Sequence, residues 1–212
     1  MTINAVLFDA FGTLLKIQNG VHPYRQILQR GRQQGRRPQP DDAHTLMTRR
    51  LGLAEAADYF EIKVSTEDLQ KNVQAQLDEE LAGVQAYPDA TDAVNLLKDA
   101  DVRVAVCSNL AMPYGAAVRR LFPQIDAYGF SYELEWAKPD PEIYFATCRM
   151  LGTHLTSDDG GAHIVMVGDS LRCDRDGPQA VGMGGFFLDR SGRTGFSNLL
   201  EFPQFVIAGN RD

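Results

Sequence analysis

Polar side chains follow three largely apolar runs of this 212-residue sequence, at the point where each run ends. They are Asp9, after residues 5–8; Ser108 and Asn109, after residues 102–107; and Asp169, after residues 164–167. Such short apolar runs are typical of strands that are buried on both faces in a parallel sheet. Because open α/β sheets bind ligands beyond the carboxyl ends of their strands, we expect these side chains to share one site.

Two further charged residues are candidates for the same site. Lys138 comes immediately before a Pro-Asp-Pro sequence that is suited to opening a helix, and Asp174 follows Asp169 by five residues. Carboxylate oxygens suit Mg²⁺, which proteins typically hold through one or two carboxylates together with substrate phosphate oxygens. Such a site could position a phosphoryl group for attack by Asp9, giving an aspartyl-phosphate. Asp9 is therefore the candidate nucleophile, and Mg²⁺ is the expected cofactor.

The elements that must position these residues fall into two groups. Residues 18–86 show apolar side chains at helical spacing and no strand pattern. From residue 87 onward, apolar runs alternate with helical segments, which implies a parallel sheet covered by helices. We therefore predict an α/β protein whose core comprises residues 1–17 and 87–212, with an all-helical insertion at 18–86.

Composition limits the classes of function. The formal net charge of −7 argues against general nucleic-acid binding, which favours a basic surface. No apolar run approaches the length of a membrane span, and the N-terminus lacks the pattern of a signal peptide. The three cysteines are too few and too scattered for a disulfide framework or a zinc site. We expect a cytoplasmic protein that acts on a small anionic molecule; the oligomeric state is not indicated.

Four motifs occur in an order that resembles the haloacid dehalogenase superfamily of hydrolases. They are Asp9-x-x-Gly12-Thr13-Leu14, Ser108-Asn109, Lys138-Pro139-Asp140-Pro141 and Gly168-Asp169-Ser170-x-x-x-Asp174. The resemblance covers residues 4–17 and 87–190. It implies a Rossmann-like parallel core with a helical cap inserted just after the first strand.

The resemblance also implies a role for each motif residue. Asp9 would be the nucleophile, Ser108 and Asn109 would contact the phosphate, and Lys138 would neutralise the nucleophile and the transferred group. The implied Mg²⁺ ligands are Asp9, Asp169 and the backbone carbonyl of Phe11, a residue that also borders the substrate. The implied supporting residues are Gly12 and Thr13 in the first motif and Asp174, beside the metal or Lys138.

Phe11 departs from the pattern of the superfamily's phosphatases, which carry a second Asp two residues after the nucleophile as general acid. General acid–base assistance is typically worth about 10²–10⁴-fold in rate. The 2-haloacid dehalogenases of the superfamily carry an aromatic residue in a similar motif, and halide leaves without a proton. Phe11 therefore favours dehalogenase chemistry.

Asp169 favours the opposite interpretation, because the dehalogenases need no metal and resemble Ser-x-Asn-x-x-Asp in this motif. Without a cation, an acidic cluster beside Asp9 would repel a haloacid carboxylate. A metal ligand is positive evidence for phosphate chemistry, whereas Phe11 only removes the general acid. The leading hypothesis is a Mg²⁺-dependent phosphatase acting on a small phosphorylated metabolite. The alternatives are a 2-haloacid dehalogenase that forms an ester on Asp9, and a weak or inactive member that only binds a ligand.

Overall fold

The computed structural model describes residues 2–18, 20–153, 155 and 163–210. Five parallel strands form the central sheet: β1 (Ala5–Phe8), β4 (Arg103–Ser108), β5 (Ala127–Phe130), β6 (Ile164–Gly168) and β7 (Gly184–Phe187). Their order across the sheet is β5-β4-β1-β6-β7, and every neighbouring pair is parallel. The predicted α/β fold with a parallel sheet is confirmed.

Strand β1 lies at the centre of the sheet. Ala5 is in register with Arg103 of β4 on one side and with Ile164 of β6 on the other. All four residues of β1 are buried, as its uninterrupted apolar sequence predicts for a strand that is covered on both faces. Since β4 and β6 flank β1, the residues that follow these three strands leave the sheet at neighbouring points.

A helical region lies between two short antiparallel strands, β2 (Leu15–Ile17) and β3 (Val84–Ala86). It comprises α1 (Pro23–Gln33), α2 (Asp42–Thr48), α3 (Leu53–Tyr59), α4 (Thr66–Asp68), a π-helical segment (Leu69–Gln74) and α5 (Ala75–Ala82). These helices pack around an apolar cluster of their own that includes Ile27, Leu53 and Leu77. The prediction of helix throughout 18–86 is wrong at β3, because pairing with β2 satisfies the backbone polar groups of those residues.

The remaining helices cover the two faces of the sheet. They are α6 (Ala90–Asp99), α7 (Tyr114–Leu121), α8 (Ser131–Leu134), α9 (Pro141–Met150), a π-helical segment (Leu171–Asp176), α10 (Gly177–Ala180) and α11 (Glu201–Gly209). Side chains alternate along a strand, so Val6 and Phe8 enter one apolar cluster while Ala5 and Leu7 enter the other. Within the described residues, no helix has the length and apolar character needed to cross a membrane.

The helical region contacts the core through polar groups. The Ser131 hydroxyl donates a hydrogen bond of 2.6 Å to the Met47 carbonyl of α2. The Tyr114 hydroxyl donates one of 2.6 Å to Glu80 of α5, whose carboxylate is buried. Glu80 also accepts hydrogen bonds from the backbone N–H groups of Val21 and His22, so it links both ends of the helical region to the core.

Candidate active site

Asp9 lies directly beyond the carboxyl end of β1 and is buried. Its backbone N–H donates to the carbonyl of Val167 in β6, which fixes its position relative to the neighbouring strand. Its Oδ1 atom accepts hydrogen bonds from Lys138 Nζ at 2.7 Å and from Ser108 Oγ at 3.0 Å. One oxygen of this carboxylate is thus held by a cation and a hydroxyl that come from distant parts of the chain.

Lys138 is buried between two carboxylates. Its Nζ atom lies 2.7 Å from Asp9 Oδ1 and 2.6 Å from Asp174 Oδ1. Burial alone would lower the pKa of Lys138, but the charges of Asp9 and Asp174 outweigh it and raise that pKa well above its ordinary value. The side chain therefore carries a permanent positive charge, directed at Asp9.

Asn109 holds the backbone of Lys138 rather than pointing a free amide at a ligand. Its Oδ1 atom accepts from the Lys138 N–H at 2.7 Å, and its Nδ2 atom donates to the Lys138 carbonyl at 2.9 Å. The predicted contact between Asn109 and substrate stays a prediction. The geometry places this residue as a clamp on the segment that carries the lysine.

Asp174 is also buried, and both of its oxygens have partners. Oδ1 pairs with Lys138, while Oδ2 accepts from the backbone N–H of Ser170 at 2.9 Å. A Cβ atom on Gly168 would lie 2.8 Å from the Cβ of Asp174, so the glycine makes room for this residue at the end of β6. Burial and the nearby charge of Asp9 raise the pKa of Asp174, and Lys138 opposes that rise.

Asp169 is the solvent-exposed member of the acidic group. Partial removal from water raises the pKa of Asp169 to about 6, and the negative charges of Asp9 and Asp174 contribute to the rise. Its carboxylate packs against the Cα of Gly12, where a Cβ atom would lie 2.5 Å from Asp169 Cγ. Gly12 also has a φ of +90°, a conformation that favours glycine.

This acidic group has the composition of a site for a hard divalent cation. Asp9, Asp169 and Asp174 each place one carboxylate oxygen so that all three lie within 4.8 Å of one another. Asp174 is already engaged by Lys138 and Ser170, whereas no group in the described residues donates to Oδ2 of Asp9. An all-oxygen donor set of two available carboxylates fits Mg²⁺.

Phe11 and Thr13 of the first motif follow Asp9 in the chain and differ in their surroundings. The ring of Phe11 is half-buried and meets the ring of Tyr114 edge-on, with centroids 5.7 Å apart. Thr13 is fully buried, and its hydroxyl has no hydrogen-bond partner in the described part of the chain. The phenyl ring of Phe11 has no proton that it could donate to a leaving group.

Arg190 contacts this part of the chain but was not predicted from the sequence. Its guanidinium donates to the carbonyls of Gly12 and Thr13. The strand-end pattern gives no direct signal for it, because the first polar residue after the apolar run of residues 186–188 is Asp189. The contacts of Arg190 are set by the tertiary fold, since its partners Gly12 and Thr13 are 178 and 177 residues away in the chain.

The site therefore consists of a buried lysine and a group of carboxylates at the carboxyl edge of a parallel sheet. A family model described as haloacid dehalogenase-like hydrolase matches residues 3–182, and the chain belongs to this family. The resemblance inferred from the four motifs is confirmed at this level.

Proteins similar to this chain include both phosphatases and dehalogenases. The chain is 29% identical over 118 residues to phosphatase MT3486 of Mycobacterium tuberculosis (strain CDC 1551 / Oshkosh); the match covers 54% of this chain and 51% of that protein. The chain thus spans about half the length of the curated relatives it matches.

Two solved structures share the fold over nearly the whole chain. A 2-haloacid dehalogenase from Pseudomonas syringae pv. Tomato DC3000 has a TM-score of 0.66 at 18% identity, and the alignment covers 100% of both chains. A HAD phosphatase from Thermococcus onnurineus has a TM-score of 0.62 at 22% identity, covering 97% of this chain and 98% of that one. At such identities the likeness establishes the fold.

Proposed function

We propose that this protein is a Mg²⁺-dependent phosphatase that hydrolyses a small phosphorylated metabolite through an aspartyl-phosphate on Asp9. The observation that supports it most is the exposed carboxylate of Asp169 beside a nucleophile already paired with Lys138. Three carboxylates then face one ammonium group, which leaves an excess of negative charge where an anionic substrate must bind. A divalent cation bound at this point would offset the excess negative charge and allow an anionic substrate to bind.

Asp9 and Asp169, with the backbone carbonyl of Phe11, are the proposed ligands of that cation. Bound Mg²⁺ would neutralise charge on the phosphoryl oxygens and reduce their repulsion from Asp9. Asp174 is proposed to act through Lys138, because it holds the ammonium group at 2.6 Å. Thr13 and Gly12 support the turn on which Asp9 is carried.

The chain's own groups position the reacting atoms. Lys138 and Ser108 hold Asp9 Oδ1, which fixes the rotation of the carboxylate and leaves Oδ2 on its other side. Both donors would also bind oxygens of the phosphoryl group as charge develops during in-line attack. Lys138 remains protonated throughout, since its pKa is raised well above the ordinary value.

Phe11 restricts the substrates that such a site turns over quickly. It cannot protonate a departing alkoxide, so water must supply that proton. Substrates with good leaving groups, such as acyl phosphates and aryl phosphates, do not need it. We therefore propose that the preferred substrate releases a weakly basic group.

Residues 18–86 are proposed to form a cap over a core of residues 1–17 and 87–212. The docking of Glu80 against Tyr114, whose ring packs on Phe11, supports closure beside the nucleophile. Closure would exclude water from the bound substrate. A reducing cytoplasm is the proposed setting, in keeping with three free cysteines.

A second candidate function is the 2-haloacid dehalogenase reaction, in which Asp9 displaces halide and forms an ester. The presence of Phe11, whose ring meets that of Tyr114, favours it, because halide needs no proton donor. Asp169 argues against it, since an exposed carboxylate beside Asp9 would repel the carboxylate of a haloacid. A third candidate, a member that binds a phosphorylated ligand without turnover, also follows from the lack of a general acid.

One set of assays separates the three functions. Phosphate release is measured from a panel of alkyl, aryl and acyl phosphates with and without Mg²⁺, and halide release from 2-chloro- and 2-fluoro-acids. Asp9→Asn should abolish the phosphate release of the wild-type protein, while Asp176→Asn, an exposed acid outside the cluster, should not. Halide release alone would establish the dehalogenase. Thermal stabilisation by a phosphorylated compound without any product, unchanged in Asp9→Asn, would establish the binding protein.

A further inference from the structure

Arg190, in the loop after β7, reaches the turn that carries the candidate nucleophile. Its Nε atom donates to the Gly12 carbonyl at 3.3 Å, and its Nη2 atom donates to the Thr13 carbonyl at 2.7 Å. These carbonyls belong to residues that follow Asp9 in the chain, and Gly12 packs against Asp169. Arg190 therefore touches the backbone of the site without touching its reacting groups.

The guanidinium is itself held in place from two further directions. Asp89, a buried residue, accepts from Nη1 at 2.9 Å and from Nη2 at 3.1 Å, and the ring of Tyr87 lies 3.7 Å from the guanidinium carbon. Asp89 Oδ2 also accepts from the backbone N–H of Leu199 at 2.7 Å. A planar, five-donor group is required to satisfy all of these partners at once.

The loop that carries Arg190 is also braced. The buried carboxylate of Asp189 accepts from the backbone N–H groups of Ser191 at 3.0 Å and Thr194 at 3.2 Å. The backbone N–H of Asp189 donates to the carbonyl of Phe196. Arg190 thus extends from a segment whose backbone is fixed on both sides.

The turn at Gly12 has internal hydrogen bonds of 2.8 Å, from the Gly12 N–H to the Leu15 carbonyl and from the Leu14 N–H to the Ala10 carbonyl, and Arg190 adds restraints on two further carbonyls. Glycine adopts many backbone conformations with little difference in energy, and Gly12 has a φ of +90° at the point where Asp169 packs against it. A peptide unit is planar, so a hydrogen bond to its carbonyl fixes the direction of the whole unit. Holding two consecutive carbonyls fixes the turn.

We propose that Arg190 is a positioning residue, which locks the Gly12–Thr13 backbone so that Asp9 and Asp169 keep the separation needed for catalysis. Its effect on turnover rests on the proposed function, whereas its effect on the turn does not. The proposal assigns Asp89 and Tyr87 to orienting Arg190.

Three variants test this role. Arg190→Gln removes the guanidinium group, and Arg190→Lys keeps the positive charge that pairs with Asp89. Arg193→Gln is the matched control, because Arg193 lies in the same loop and its side chain is 83% exposed. We expect hydrogen exchange of the amides in residues 10–14 to be faster in Arg190→Gln than in the wild-type protein. We also expect weaker Mg²⁺ binding by calorimetry, and a kcat lower by about 10²-fold with little change in KM, as for a misplacement of about 1 Å. Arg193→Gln should match the wild-type protein in all three.

Arg190→Lys separates positioning from charge pairing. A lysine can pair with Asp89 but cannot span both carbonyls, so we expect nearly wild-type thermal stability with fast exchange at residues 10–14. If Arg190→Lys keeps wild-type exchange, Mg²⁺ affinity and kcat, the proposal is wrong. The proposal is also wrong if Arg190→Gln folds and keeps wild-type hydrogen exchange, Mg²⁺ affinity and kcat.

The readouts also keep this inference distinct from the proposed function. A wild-type protein that releases no phosphate would overturn the phosphatase proposal. The exchange of residues 10–14 would still decide whether Arg190 holds the turn.

Discussion

The carboxylate of Asp169 rests against the Cα of Gly12, in the space that a side chain at position 12 would fill. A Cβ atom there would lie 2.5 Å from Asp169 Cγ, far inside van der Waals contact. Gly12 also has a φ of +90°. One glycine thus lets the backbone turn after Asp9 and lets the acid of a distant strand approach it.

Gly12→Ala should therefore abolish Mg²⁺ binding, because Asp169 must move away from Asp9 to admit the methyl group. Gly35→Ala is the matched control: Gly35 has a φ of +89°, and nothing lies within 4 Å of a Cβ atom built there. Both variants should lose about 1–3 kcal/mol of unfolding free energy through backbone strain. Calorimetric titration with Mg²⁺ checks the difference, and equal Mg²⁺ affinity in the two variants would contradict it.

Phe11→Asp should restore the missing proton donor. The gain should appear with alkyl phosphates, whose leaving groups need a proton, and should be small with p-nitrophenyl phosphate. General acid catalysis sets the scale of the gain at about 10²-fold or more. Phe11→Asn is the control, because asparagine has nearly the same shape as aspartic acid but no carboxyl proton. Equal rate changes for both classes of substrate would show that Phe11 does not limit leaving-group departure.

Lys138→Met should destabilise the fold as well as the reaction. Asp9 and Asp174 would remain buried without their shared cation, and breaking a buried ion pair in this way costs about 3–5 kcal/mol. Lys98→Met removes a more exposed pair with Asp126 and should cost at most about 1 kcal/mol. Urea denaturation at pH 7 measures both. Similar losses in the two variants would mean that the Lys138 site is not sealed from water.

The ion pair between Arg36 and Asp42 should make the helical region sensitive to acid. Two hydrogen bonds of 2.7 and 2.6 Å from Arg36 lower the pKa of Asp42 below its ordinary value. A carboxyl whose pKa is lowered in the folded state adds stability above its unfolded pKa of about 3.9 and loses it as pH falls further.

Asp42→Asn should therefore be less stable than the wild-type protein by about 1–3 kcal/mol at pH 7. The difference should shrink as the pH is lowered below about 4, because Asp42 of the unfolded wild-type protein then binds a proton that the folded protein does not bind until its lowered pKa is reached. Urea denaturation from pH 7 to pH 3 measures it, with the neighbouring exposed Asp41→Asn as control. A difference that stays constant with pH would contradict the assignment.

The sheet and most of the site could be predicted because burial leaves a direct trace in sequence. A strand covered on both faces must be apolar throughout, so residues 5–8 and 164–167 are recognisable, and the first polar residue after each marks the sheet edge. The adjacency of β4, β1 and β6 then brings Asp9, Ser108 and Asp169 together.

Other features left too little trace. Strand β3 has three residues, too few to display an alternating pattern, and it exists because β2 lies opposite. Arg190 and Asp89 are 101 residues apart, and a pairing over such a distance is set only by the tertiary fold. The same holds for Glu80 and Tyr114, which look like ordinary surface residues of two helices in the sequence.

The most direct test of the central claim is acid quenching during turnover, followed by mass spectrometry of the intact and digested protein. With Mg²⁺ and an acyl or aryl phosphate substrate, we expect one phosphoryl group on the peptide that contains Asp9, and none in Asp9→Asn. Phosphate release that continues unchanged in Asp9→Asn, or a phosphoryl group found on another residue, would contradict the assignment of Asp9 as nucleophile.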